Sequence, residues 1–163
     1  MISFMVVAAP RSATAWVSNW LTTDKSLCYH DPLFDCRYEE LDALVNDRII
    51  GMACTGAALF PEFINAHPAR KVILHRDKKE IDASLKALNL PTDYHADLHR
   101  IRGEHCQWRD VFDRPKIIYE FLLNQKFDAE RHRLLCKLNV QRDLRFIHDD
   151  SHWRLENAPH VFD

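Results

Sequence analysis

A chain of 163 residues, 47% apolar and 28% charged, carries enough apolar material for one globular core, and a single α/β domain over residues 1–163 is expected. Its formal charge of −2 excludes a nucleic-acid coat or a polybasic membrane surface, so any anion binding must come from a local cluster of cations. Five cysteines, odd in number and without a C-x-x-C pair, argue against a disulfide framework or a zinc ribbon and point to reduced thiols in the cytoplasm.

Residues 2–8, Ile2-Ser3-Phe4-Met5-Val6-Val7-Ala8, form an almost continuous apolar run rich in β-formers, the pattern of a strand covered on both faces. No basic stretch precedes the run and no small-residue cleavage site follows it. Arg11 interrupts it far short of a membrane span, so it reads as a strand rather than a signal peptide or anchor. Next, Trp16, Val17, Trp20 and Leu21 recur at helical spacing, Thr22-Thr23-Asp24 supplies a stop, and residues 26–30 make a short second strand ending at Asp31-Pro32. Residues 39–45 read as a helix, 48–53 as a third strand, 57–66 as a helix and 71–75 as a fourth strand. Beyond Lys78 the spacing predicts helices over 79–88, 93–106, 115–123 and 128–138, then a last strand at 144–148.

Alternating strands and helices imply a central, mostly parallel sheet of four to five strands with right-handed crossovers, followed by a helical C-terminal half. Ligands of such sheets sit at the carboxyl ends of the strands, so the loops after Ala8, His30, Ala53 and His75 should converge.

The first of these loops is Pro10-Arg11-Ser12-Ala13-Thr14-Ala15-Trp16. A strand that turns through a cation and hydroxyl residues into a helix N-terminus presents backbone N–H groups, a positive dipole end and a guanidinium to one point, which makes an anion site. It is neither a G-x-x-x-x-G-K-[ST] loop nor a G-x-G-x-x-G fingerprint, since the only glycines are Gly51, Gly56 and Gly103. A second element lies at Val72-Ile73-Leu74-His75-Arg76-Asp77, where a strand ends in an arginine and a helix presents Ser84 eight residues later.

Together these two segments resemble the sulfotransferases that use 3′-phosphoadenosine 5′-phosphosulfate (PAPS). That family carries P-[K/R]-S-G-T-[T/S]-W after its first strand and strand-Arg-x7-Ser at its 3′-phosphate site. The resemblance covers residues 2–88 and implies a three-layer P-loop-like fold, PAPS as donor and 3′-phosphoadenosine 5′-phosphate (PAP) as product. It implies that Arg11 neutralises the bridging and transferring oxygens, that Ser12 and Thr14 bind the 5′-phosphate with the backbone of Ala13 and Ala15, and that Trp16 packs near the adenine. Arg76 and Ser84 would hold the 3′-phosphate, by a bidentate guanidinium contact and a helical hydroxyl. Ala13 stands where the family has glycine and Ala15 where it has a second hydroxyl residue, and one missing hydrogen bond to a charged oxygen costs about 1–3 kcal/mol. The late Arg-Lys-Gly segment of many cytosolic members has no clear equivalent.

Sulfuryl transfer also needs a base for the acceptor proton. The strand-end histidine of the cytosolic branch is replaced by Ala53-Cys54-Thr55, whereas Asp31 matches the second-strand carboxylate of carbohydrate-type members and His30 adjoins it. Adjacent residues of an extended segment point to opposite faces, so one of the two should face the sulfur. Elsewhere, His95 and His99 lie one helical turn apart with Asp93 and His105 nearby. No H-E-x-x-H or cysteine completes that set, and no metal is expected. Arg100, Arg102, Arg109 and Arg114 read as a solvated helical face, and Cys54 is the one cysteine placed to be tested as a reactive thiol.

The expectation is a cytoplasmic sulfotransferase acting on a small-molecule or carbohydrate hydroxyl or amine, with no nucleic-acid or membrane partner. The alternatives are a non-catalytic nucleotide-phosphate-binding protein of the same fold and, behind it, a divergent P-loop kinase. Oligomeric state and the identity of the acceptor are not written in these patterns.

Overall fold

A computed structural model of the chain describes residues 1–34, 36–37, 40, 47–94 and 96–138. Five parallel strands, β1 (Phe4–Ala8), β2 (Ser26–His30), β3 (Ile49–Cys54), β4 (Arg70–His75) and β5 (Glu104–Gln107), form one sheet in the order β2-β3-β1-β4-β5. The α-helices of the described residues are α1 (Thr14–Leu21), α2 (Pro61–Ala66), α3 (Lys78–Lys86), α4 (Asp110–Asp113), α5 (Pro115–Leu123) and α6 (Ala129–Leu135). The result is an α/β fold of the three-layer, P-loop-like kind.

Each face of the sheet is buried because β1 alternates two apolar sets. Met5 and Val7 join Met52, Ile73, Ile64 of α2 and Ile81 and Leu85 of α3 on one side. Phe4, Val6 and Ala8 join Trp16, Val17 and Trp20 of α1 and Ile118 and Leu122 of α5 on the other. All five residues of β1 are buried, as its continuous apolar run predicts. Gly51 lies opposite Phe4 in the β1–β3 register, and a Cβ there would come within 2.2 Å of the Phe4 ring, so the glycine makes room for an aromatic on the neighbouring strand.

The chain runs outward from β1 to β2, returns to β3, and crosses β1 to reach β4 and then β5. The direction of winding therefore reverses at β1, which opens a crevice at its carboxyl end. No helix among the described residues is long and apolar enough to cross a membrane.

Two expected helices take other forms. The expected helix at 57–66 divides into a 3-10 turn, Gly56–Leu59, and α2, because Pro61 starts a helix well but cannot continue one. The helix expected over 93–106 is replaced by a 3-10 turn, Leu98–Arg100, and by β5, which pairs in parallel with β4. Gly103 accounts for the change: a Cβ there would lie 2.8 Å from the Cβ and 2.9 Å from the carbonyl of Lys71, an approach open to glycine that lets the chain enter the sheet edge. Among the described residues β5 has one neighbour, β4, and its side chains are largely exposed, so Glu104-His105-Cys106-Gln107 carries none of the apolar alternation that marks a strand. The expected helix at 39–45, Glu40 apart, and the expected strand at 144–148 lie outside the described residues.

Replacing Gly51 with Ala forces the Phe4 ring or β3 to shift and should lower the unfolding free energy by about 1–3 kcal/mol, the usual cost of overpacking. Urea titration reads this directly, and pairing it with Phe4→Leu should recover part of the loss; an unchanged midpoint in the single variant contradicts the packing.

Candidate functional site

From Ala8 the chain leaves the sheet through Pro10 and reaches α1 by way of two residues in the left-handed region, Arg11 (φ 64°) and Ala13 (φ 67°). Ser12 between them has no positive φ, so φ alternates in sign along the loop. Such alternation turns successive backbone N–H groups to one side and shapes a concavity for an anion. Ala13 is also the N-cap of α1 and contributes no side-chain cap, and the first turn holds no acidic residue. The positive end of the helix is thus left without a carboxylate from its own segment. Ser12 is fully buried, and its hydroxyl has no hydrogen-bond partner among the described residues.

Two guanidiniums meet over this loop. Arg11 Nε donates to Ser84 Oγ of α3 at 3.0 Å. Arg76, just past β4, donates to the Arg11 carbonyl and, through Nε, to Glu80 at 3.0 Å, while its guanidinium lies 4.4 Å from the centre of the Trp108 ring. The Arg11 guanidinium is held below its usual pKa, first by burial and then by the charge of Arg76. An anion between the two would reverse the second effect.

The loop after β2 supplies the remaining groups. His30 Nε2 lies 3.1 Å from Thr14 Oγ1 and 3.3 Å from Asp31 Oδ2. Asp31 Oδ1 accepts from the Thr55 backbone N–H at 2.6 Å and from the Thr55 hydroxyl at 3.1 Å. The expectation that only one of His30 and Asp31 faces the site assumed an extended chain. Asp31 instead has a φ of 44°, which turns its carboxylate back onto the imidazole, and both residues line the same cleft.

That cleft has a volume of about 450 Å³ and is lined by Arg11, Thr14, His30, Asp31, Thr55 and Arg76, among others. The loops after β1, β2, β3 and β4 all contribute. Ser12 and Ser84 are not part of its lining; Ser84 acts through Arg11. Trp16 touches the cleft but is 8% exposed, its ring centre 4.6 Å from Phe112 and its indole N–H donating to the Leu135 carbonyl at 3.3 Å. Most of that ring is core. Trp108, half-buried and lining the cleft under Arg76, is the aromatic the sequence reading missed, because it follows a strand that reads as helix.

The other expected candidates fall elsewhere. Arg100 pairs with Glu62 at 2.8 Å, Arg114 with Asp110 at 2.9 Å, and Arg109 with Glu80 at 3.3 Å, all of these arginines being largely exposed. Cys54 is fully buried, and its thiol is pushed up to about 12 by burial and then by the charge of Asp31. His95 lies outside the described residues. Comparison of the chain with protein-family models, curated proteins and solved structures gives no match.

Asp31→Ala removes the acceptor of the short Thr55 bond and leaves a side chain poorly suited to positive φ, so a loss of about 2–3 kcal/mol in unfolding free energy is expected. Asp31→Asn, which keeps an oxygen acceptor and tolerates that backbone, should lose less; equal losses would contradict the assignment. Thiol alkylation tests Cys54. With a thiol near 12, only about one molecule in ten thousand carries the reactive thiolate at pH 8, so native protein treated with iodoacetamide should be modified at exposed Cys136 and spared at Cys54.

Proposed function

We propose that this protein is a sulfotransferase that binds PAPS in the cleft at the carboxyl end of β1 and transfers its sulfuryl group to a hydroxyl or amine of a small-molecule or carbohydrate acceptor. The observation that carries the reading is the 3.0 Å hydrogen bond between Arg11 and Ser84, residues 73 apart in the chain. It joins the two segments whose sequences resemble the 5′-phosphosulfate and 3′-phosphate sites of one family. The cytoplasm is the proposed compartment, in keeping with five cysteines that form no disulfide.

In this reading the N–H groups of the loop and the Thr14 hydroxyl receive the 5′-phosphate, and Arg11 faces the bridging oxygen where charge develops as the sulfur–oxygen bond breaks. Arg76 receives the 3′-phosphate, and half-buried Trp108, which lines the cleft beneath it, offers more aromatic surface than buried Trp16. The acceptor oxygen or nitrogen forms the new bond to sulfur, PAP departs with the electron pair, and the acceptor proton passes to a base. His30 is the better base of the two candidates, because Asp31 is already committed to Thr55 through Oδ1. Asp31 Oδ2, 3.3 Å from His30 Nε2, then stabilises the imidazolium that forms. Asp31 is a positioning residue in this scheme.

Ala13 and Ala15 favour a second reading, in which the same cleft binds the nucleotide without transfer, since the loop carries a methyl group at one point and lacks a hydroxyl at another. A divergent P-loop kinase fits less well, as the loop has no lysine for terminal phosphates.

Thermal denaturation with PAP, PAPS, ATP and inorganic phosphate separates these readings. PAP at a hundred times its Kd should stabilise the fold by about 2.7 kcal/mol, well above ATP at the same concentration, and Arg76→Ala should erase the difference. Equal responses to PAP and ATP would sink the 3′-phosphate assignment. Release of labelled sulfate from PAPS to an acceptor, lost in His30→Asn, distinguishes enzyme from binder. The Ala13→Gly, Ala15→Thr double variant removes the methyl and restores the hydroxyl, so its PAP affinity should rise about tenfold, one charged hydrogen bond's worth; weaker binding would mean the phosphate does not sit on this loop.

A further inference from the structure

A second cluster stands beside the cleft and takes no part in it. His75 at the end of β4, His99 on the 3-10 turn and His105 on β5 each offer a ring nitrogen, and these nitrogens all lie within 4.8 Å of one another. His75 and His105 point to the same face of the sheet, because the β4–β5 register sets Ile73 opposite His105 and Gln107 opposite His75. The turn that follows Asp97 carries His99 over that pair, the Asp97 carboxylate accepting from the His99 backbone N–H at 3.1 Å.

The protonation pattern follows from the acceptors. His105 Nε2 lies 2.8 Å from the Ile101 carbonyl, which can only accept, so Nε2 carries the proton and Nδ1 keeps its lone pair. That lone pair faces His75 Nε2 at 2.7 Å, and the rings meet edge to edge, with centroids 5.0 Å apart and planes 23° from parallel. An imidazole whose far N–H is fixed by a backbone carbonyl is oriented as metal-binding histidines are, with the ligating lone pair aimed inward. Two nitrogens on one zinc ion stand about 3.3 Å apart, given Zn–N bonds of about 2.0–2.1 Å and tetrahedral angles. The pair therefore needs to open by roughly 0.6 Å, with the His75 proton moving to Nδ1.

The frame around the cluster is braced. Asn65 of α2 donates to the Arg100 carbonyl at 2.9 Å and accepts from the Arg102 N–H at 2.7 Å, which fixes the turn on both sides of Ile101. Gly103 then lets the chain pass against Lys71 into β5. Three ligands thus come from three separate elements held in register by the sheet and by one amide.

We infer that His75, His99 and His105 form a binding site for a borderline divalent transition metal such as Zn²⁺, with three imidazole ligands and a fourth position open to water or to a ligand. Imidazole nitrogen suits zinc, copper, nickel and cobalt, whereas Mg²⁺ and Ca²⁺ require oxygen, so the site selects against the abundant hard cations. This inference is independent of the nucleotide reading of the cleft. It also shows why the cluster escapes a spacing search: His75 precedes His99 by a helix and a loop, and His99 and His105 come together through a sheet edge.

Calorimetric titration of the purified protein with Zn²⁺ and with Mg²⁺, together with the visible spectrum of the Co²⁺ form, tests it. One Zn²⁺ should bind per chain and raise the Tm, Mg²⁺ should do neither, and Co²⁺ should give the strong visible bands of a four-coordinate site. His99→Ala and His105→Ala, both at exposed positions, should each weaken Zn²⁺ binding more than about 100-fold, beyond what an outer partner carries, while circular dichroism stays unchanged. No Zn²⁺ binding by the parent protein, equal response to Mg²⁺, or Zn²⁺ affinity that survives when His99→Ala and His105→Ala are combined would each overturn the site.

Discussion

The structure hangs on how the chain leaves β1. A strand buried on both faces at the centre of a sheet can discharge only at its carboxyl end, and here the next eight residues of helix must lie back against the same sheet. The turn that achieves this uses positive φ at Arg11 and Ala13, each costing about 1–2 kcal/mol for a residue with a Cβ. Bonds from distant parts of the fold hold it there: Arg76 on the Arg11 carbonyl, and Ser84 on the Arg11 side chain. The far end of α1 is secured in the same way, with Arg131 of α6 donating to the carbonyls of Asn19 and Thr22 at 2.9 and 2.6 Å. Tertiary contacts supply the C-terminal cation that α1 lacks, while its N-terminus receives no acid from its own first turn.

The end of β4 serves two places at once. His75 and Arg76 are adjacent, and the pleat sends consecutive side chains to opposite sides. His75 joins the three-histidine cluster, and Arg76 reaches the cleft and the Trp108 ring. β5 makes both possible, since it brings His105 to the first and leads directly into Trp108 for the second. A four-stranded sheet ending at β4 would leave Arg76 without its aromatic platform and His75 without its partner.

What the sequence discloses follows from where its signals are local. Strands β1 to β4 and helices α1, α3 and α5 are legible because both faces of the sheet, or one face of a helix, are written in apolar spacing. The cleft is legible for the same reason, once strand ends are known to converge. β5 is not, because an edge strand with exposed side chains has no apolar pattern, and its signal is a single glycine whose need for space is visible only against Lys71. Losing β5 hides Trp108 and the histidine cluster together. The face that Asp31 presents is hidden by a backbone turn, a φ of 44° that no residue pattern around Asp31-Pro32 requires.

The cleft carries its instability in two forms that respond differently to a ligand. The left-handed backbone at Arg11 and Ala13 is mechanical strain, a cost of shape rather than of charge. The closeness of Arg11 to Arg76 is an electrostatic cost, and an anion between two such guanidiniums offsets it. Among the described lining residues Asp31 is the one carboxylate, and it is held by Thr55 and faces His30, while Arg76 pairs with Glu80 at 3.0 Å. An anion in the cleft gains from the repulsion between Arg11 and Arg76, which it relieves. Partial burial of Arg11 strengthens that gain, because charges withdrawn from water are less screened by salt over a Debye length of about 8 Å. The strain sets the shape of the loop, and the two guanidiniums set the charge it presents.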